Sequence, residues 1–78
     1  MLDKELVKKV LASVLEVDIG TIDEKSSMDS VPGWDSLRQM NLVLALEECF
    51  GVTIPDEDAA NATSYRLIVL VLEEQLQA

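Results

Sequence analysis

Apolar residues recur through residues 2–17 at Leu2, Leu6, Val7, Val10, Leu11, Val14, Leu15 and Val17, a helical spacing that leaves Lys4, Glu5, Lys8 and Glu16 on another face. This predicts a first helix. Residues 18–35 then turn polar, with Gly20, Ser26, Ser27, Asp29, Ser30, Pro32 and Gly33 and no sustained period. A long loop is expected there, with a helical turn at residues 21–24; loops of this length inside a compact domain often carry function.

Helical character returns at Ser36 and runs to Phe50, where Gly51 supplies the stop signal. At about 100° per residue, Leu42, Val43, Leu46 and Phe50 gather on one side of this second helix, with Cys49 at the edge. That side reads as the core face. Leu37, Met40 and Leu44 gather on the opposite side, among Asn41, Glu47 and Glu48. Such a strip, flanked by carboxylates, suits a partner with a groove rimmed by Lys or Arg; the other reading is a helix buried on both sides.

Ile54-Pro55-Asp56-Glu57-Asp58 places proline and acids as at a helix start, so residues 56–60 are expected to form a short third helix. Thr63 or Ser64 can cap a last helix running to about Gln77. Within it, residues 67–72 are apolar and rich in β-branched side chains, which read alone would suit a buried strand. No second strand stands beside them, and the helical pattern continues through Leu76. The expected fold is all-α: a four-helix bundle with a long first loop and a short third helix, forming one domain over residues 1–78.

Composition sharpens this picture. Hydrophobic residues make up 49% of the chain but aromatics only 4%, so the core must be built mainly from Leu, Val, Ile and Ala. The net charge is -9, and of 15 acids and 6 bases only Asp3, Glu5, Lys4, Lys8 and Lys9 fall in the first nine residues. The remainder is therefore acidic, which disfavours nucleic acid and anionic membranes and favours partners with basic surfaces. Cys49 is the lone cysteine, so no intramolecular disulfide forms. With no signal-peptide pattern and no apolar run of membrane-spanning length, a cytoplasmic protein without membrane insertion is expected, acting as a monomer.

Ser36 stands where the long loop becomes the second helix, directly after Gly33-Trp34-Asp35. It could cap that helix, with Gln39 completing a Ser-x-x-Gln capping box. Alternatively Asp35 is the cap, and Ser36 opens the helix with its hydroxyl free.

Trp34-Asp35-Ser36-Leu37, followed by Leu42, Leu46-Glu47-Glu48-Cys49-Phe50-Gly51 and Ile54-Pro55-Asp56-Glu57-Asp58, resembles the acyl carrier proteins over essentially the whole chain. The resemblance implies a 4'-phosphopantetheine arm joined to Ser36 by a separate phosphopantetheinyl transferase, which would make the chain a phosphoprotein. It implies a carrier, not an enzyme, whose arm holds acyl or aminoacyl intermediates as thioesters, in fatty acid or polyketide biosynthesis. By resemblance, Asp35 and Leu37 mark the site for the transferase. Leu37, Met40, Leu44, Glu47 and Glu48 would meet the loading and processing enzymes, in agreement with the outer strip. Carriers of this kind can hold an acyl chain between their helices, and Leu46, Ile54, Ala59 and Ile68 are candidates for such a lining.

Arg38 and Asn41 stand where acids are frequent in the fatty acid branch, and Trp34 resembles free-standing carriers of specialised or amino-acid-loading pathways. An aminoacyl or peptidyl carrier is thus the alternative within the class, and an unmodified acidic helical adaptor the alternative outside it. Other chemistry finds little support. The chain has no histidine, which removes Ser-His and Cys-His pairs. Cys49 is expected to be buried, Tyr65 to pack in the core, and Trp34 to be either a recognition residue or a lid on the bundle. Asp56-Glu57-Asp58 lacks the spacing of an EF-hand, so no metal is expected. No glycine-rich phosphate loop occurs.

Overall fold

A computed structural model describes residues 2–77. Four α-helices follow one another: α1 (Lys4–Leu15), α2 (Ser36–Phe50), α3 (Asp56–Asn61) and α4 (Tyr65–Gln77), with a single 3-10 turn at Ile19–Thr21. No strand occurs among the described residues, so the strand reading of residues 67–72 is replaced by α4, whose inner face buries Ile68, Val69 and Leu72. The number and order of the helices match the expected all-α, four-helix architecture.

The boundaries follow from local hydrogen bonding. The Asp3 carboxylate accepts the Leu6 N–H at 3.2 Å, so α1 begins at Lys4 rather than Leu2. It ends at Leu15 because Glu16 turns left-handed, with φ 57°, and its N–H returns to the Ala12 carbonyl. Gly51 does the same for α2, with φ 65° and its N–H on the Glu47 carbonyl at 2.9 Å. The turn expected at residues 21–24 forms slightly earlier, where both the N–H and the hydroxyl of Thr21 donate to the Asp18 carbonyl at 2.9 and 2.7 Å. Ser64, of the two candidates, caps α4 through its hydroxyl on the Leu67 N–H at 3.2 Å.

One core joins the elements. Val7, Leu11 and Leu15 of α1, Leu42 and Leu46 of α2, and Ile68 and Leu72 of α4 are almost fully buried. The long loop contributes Ile22, Val31 and Trp34, and Tyr65 joins from the start of α4. Each buried aliphatic side chain of this kind stabilises the fold by about 1.5–3 kcal/mol.

The loop is fixed to the rest of the chain rather than draped over it. The Met28 N–H donates to the Thr63 carbonyl at 3.0 Å, and the Tyr65 N–H donates to the Ser26 carbonyl at 2.9 Å. Buried Ser26 accepts the Asp23 N–H at 2.9 Å, and the Ser30 hydroxyl accepts the Ser27 N–H at 3.0 Å, so local turns shape the path between the anchors. The loop is therefore pinned through Ser26 and Met28 to the segment that leads into α4. Cys49 departs from expectation: it stands on the Leu42 and Leu46 side of α2, yet in the penultimate position of the helix it is exposed.

Candidate functional site

The site is built at the junction of the loop and α2. Asp35 is the cap, its carboxylate accepting the Arg38 N–H at 2.9 Å while its carbonyl takes the Gln39 N–H at 2.8 Å. The Ser-x-x-Gln capping box does not form. Ser36 is the first residue of α2, exposed, and its hydroxyl makes no hydrogen bond among the described residues. The N–H groups of Ser36 and Leu37 point out of the open end of the helix, where the dipole is positive.

Gln39 is instead a buried connector. Its side-chain oxygen accepts the Trp34 indole N–H at 2.7 Å, and its amide nitrogen donates to the Ala59 and Ala62 carbonyls at 3.0 and 2.8 Å. The loop, α2 and α3 are thereby tied at one point, a turn below Ser36. This matters for α3, which has six residues, buries no side chain fully and is too short to be stable alone. Trp34 is buried beneath the site, so the lid reading holds and the recognition reading does not. A signal for Gln39 lay in the sequence: it stands three and seven positions before Leu42 and Leu46, on their face of the wheel.

Leu37, Met40 and Leu44 are 68%, 66% and 59% exposed, so the helix is not buried on both sides. Glu48 is exposed beside them. Glu47 is half-buried, and its carboxylate accepts the Ile54 N–H at 2.7 Å, closing the turn between α2 and α3. Arg38 does not face this strip. Its guanidinium crosses to the end of α1, donating to the Val14 carbonyl at 2.8 Å and to Glu16 at 3.1 Å. Asn41 is exposed.

Between α2 and α3, beside Ser36, runs an open groove of about 540 Å³ bordered by Met40, Val43, Leu44, Ala59 and Thr63 among others. The four residues expected to line an acyl-binding interior divide. Leu46, Ile54 and Ile68 surround a small internal space, whereas Ala59 lies on the outer groove. Among the described residues no group of three or more Cys, Asp or Glu side chains is placed to hold a metal ion, and no helix is long and apolar enough to cross a membrane.

The residues present fit a phosphodiester-linked arm. An exposed hydroxyl opens the helix, two N–H groups stand free beside it, and the dipole favours an anion there.

Comparison with known proteins agrees. The family described as "Phosphopantetheine attachment site" matches residues 5–72, and the chain belongs to it. The fold is similar to that of a holo acyl carrier protein from Nitrosomonas europaea, with 26% identity and a TM-score of 0.83 over 100% of both chains. It is also similar to a structure titled "Mupirocin didomain ACP", at 16% identity and TM-score 0.73, over 94% of this chain and 39% of that one. The protein is an acyl carrier protein, a carrier rather than a catalyst, and its prosthetic group is covalent 4'-phosphopantetheine.

Proposed function

We propose that Ser36 bears the arm. The observation that carries this is the division of labour at the start of α2: Asp35 closes the helix, and the Ser36 hydroxyl is left exposed with no structural duty. When bound, the arm supplies a terminal thiol that carries acyl or aminoacyl intermediates as thioesters. Asp35 holds the turn in which Ser36 is presented, and Leu37 stands exposed beside it, so both sit within reach of a transferase bound at this end of α2.

The partner surface is the strip of Leu37, Met40 and Leu44 with Glu47 and Glu48. Its apolar centre and acidic edge suit loading and processing enzymes that offer a groove with a basic rim. Arg38, occupied at α1, leaves the acidic character of this edge undiluted. The reading extends to a monomer acting in the cytoplasm in fatty acid or polyketide biosynthesis; the charge of -9, which opposes self-association, and the lone Cys49 support it.

Co-expression with a phosphopantetheinyl transferase is expected to add the mass of one arm, and Ser36→Ala to abolish the addition. An arm still present on the Ser36→Ala variant, or an unchanged wild-type mass with several competent transferases, would overturn the assignment.

A further inference from the structure

α3 has little of its own to hold it in place. Its sequence, Asp56-Glu57-Asp58-Ala59-Ala60-Asn61, offers no apolar side chain larger than a methyl, and none of its side chains is fully buried. A helix this short does not persist unaided. Its flanks are fixed independently: Ile54 is buried with its N–H on the Glu47 carboxylate, and the Thr63 carbonyl accepts the Met28 N–H. Between the flanks, only Ala62 buries its methyl. Among the described residues, the only hydrogen bonds that join residues 55–62 to another helix or to the long loop are the two donated by the Gln39 amide, at 3.0 and 2.8 Å.

Docking of α3 against α2 is therefore a local equilibrium with one polar clasp. Two hydrogen bonds of ordinary net strength shift such an equilibrium by about ten- to a hundredfold. Charge works against them, since Glu47 of α2 and Asp56 of α3 border the same groove. The consequence reaches Ser36. The groove beside it has Met40 and Leu44 of α2 on one wall and Asp56 and Ala60 of α3 on the other. A partner that closes over Ser36 meets both walls, and finds the second only while α3 is docked.

We propose that Gln39 is a positioning residue for arm transfer to Ser36: by holding α3 it sets the fraction of carriers whose surface is complete, and with it the affinity of the transferase. This rests on Ser36 as the attachment point. Where only the docked form binds, KM for the carrier rises as the inverse of the docked fraction. The kcat stays fixed, because every bound carrier is docked.

The test compares the wild type with Gln39→Met, which keeps the length of the side chain without its bonds, and with Trp34→Phe, which removes the indole bond and leaves both bonds to α3. Chemical shifts and amide exchange give the docked fraction; coenzyme A and a phosphopantetheinyl transferase give KM and kcat. In Gln39→Met the docked fraction is expected to fall below about half, with the Ala59 amide exchanging about tenfold faster or more while those of Leu11, Leu42 and Leu72 keep their protection. KM is expected to rise about twofold or more at an unchanged kcat. Trp34→Phe is expected to leave both near the wild-type values. A docked fraction that stays above half, a KM that does not follow it, a kcat that falls with it, or lost protection at Leu11, Leu42 and Leu72 would overturn the proposal. Should Gln39→Met fail to fold, Gln39→Glu decides by the same readings, since its carboxylate keeps the Trp34 bond and lacks both donors. A wild type that takes no arm strikes the Ser36 reading; a wild type that takes it, with KM unmoved in a variant whose α3 is undocked, strikes this one alone.

Discussion

Arg38, in the first turn of α2, places a guanidinium nitrogen 3.1 Å from the Glu16 carboxylate and another 2.8 Å from the Val14 carbonyl at the end of α1. The two contacts are unequal. Glu16 is 74% exposed, so the ion pair is solvated and contributes at most about 1 kcal/mol. The carbonyl bond is partly buried and caps a helix end that has no basic residue of its own in its last turn. Urea denaturation is expected to show Arg38→Ala destabilising by about 1–2 kcal/mol and Glu16→Ala by less than half of that. Equal losses would show that the ion pair, not the helix cap, is what Arg38 supplies.

The roles of Asp35 and Ser36 can be separated by stability alone. Asp35→Ala removes the cap of α2 and is expected to cost about 1 kcal/mol in thermal unfolding, whereas Ser36→Ala should leave the midpoint nearly unchanged. A larger loss at Ser36 would return it to the role of capping serine.

On α2, the exposed and buried faces should respond in opposite ways. Changing Leu37, Met40 or Leu44 to Glu is expected to leave the thermal midpoint within the range of neutral surface changes while weakening turnover by partner enzymes. Leu42→Ala, on the inner face, should instead cost about 2–5 kcal/mol. Comparable destabilisation from the outer variants would make that strip part of the fold.

Burial, reinforced by the nearby carboxylates of Glu24 and then Glu5, raises the Tyr65 phenol above its ordinary value of 10.0. The folded state thus keeps the proton that the unfolded state gives up first. The stability this supplies is complete below pH 10 and is lost as pH rises from there through the folded-state value. Denaturation followed above pH 10 should show a steeper fall in the wild type than in Tyr65→Phe, with the two converging in slope at neutral pH. Parallel curves throughout would remove Tyr65 from the account.

The helices were legible because their signals are local. Gly51, the acids after Pro55 and the spacing of Leu42 and Leu46 each act within a turn or two, and α2 ends and α3 begins where those signals stand. Residues 67–72 were ambiguous because β-branched residues fit either a strand or a buried helix face. The absence of a partner strand, not propensity, decided between them. What the sequence could not display was pairing at a distance. Gln39 meets carbonyls 20 and 23 residues away, and Arg38 meets a carbonyl 24 residues back; backbone carbonyls leave no trace in residue identity. Cys49 was misplaced for another reason. It lies one position before the end of α2, and its place on the core side of the wheel did not translate into burial there.

Because Asp35 rather than Ser36 closes α2, an arm on Ser36, as proposed, would take no hydrogen bond from the fold. Folding need not wait for modification, and removal of the arm need not unfold anything. Enzymes that must tell a bare carrier from a loaded one then have little to read in the protein body itself. On that reading the difference between the two states lies at the arm and not in the helices.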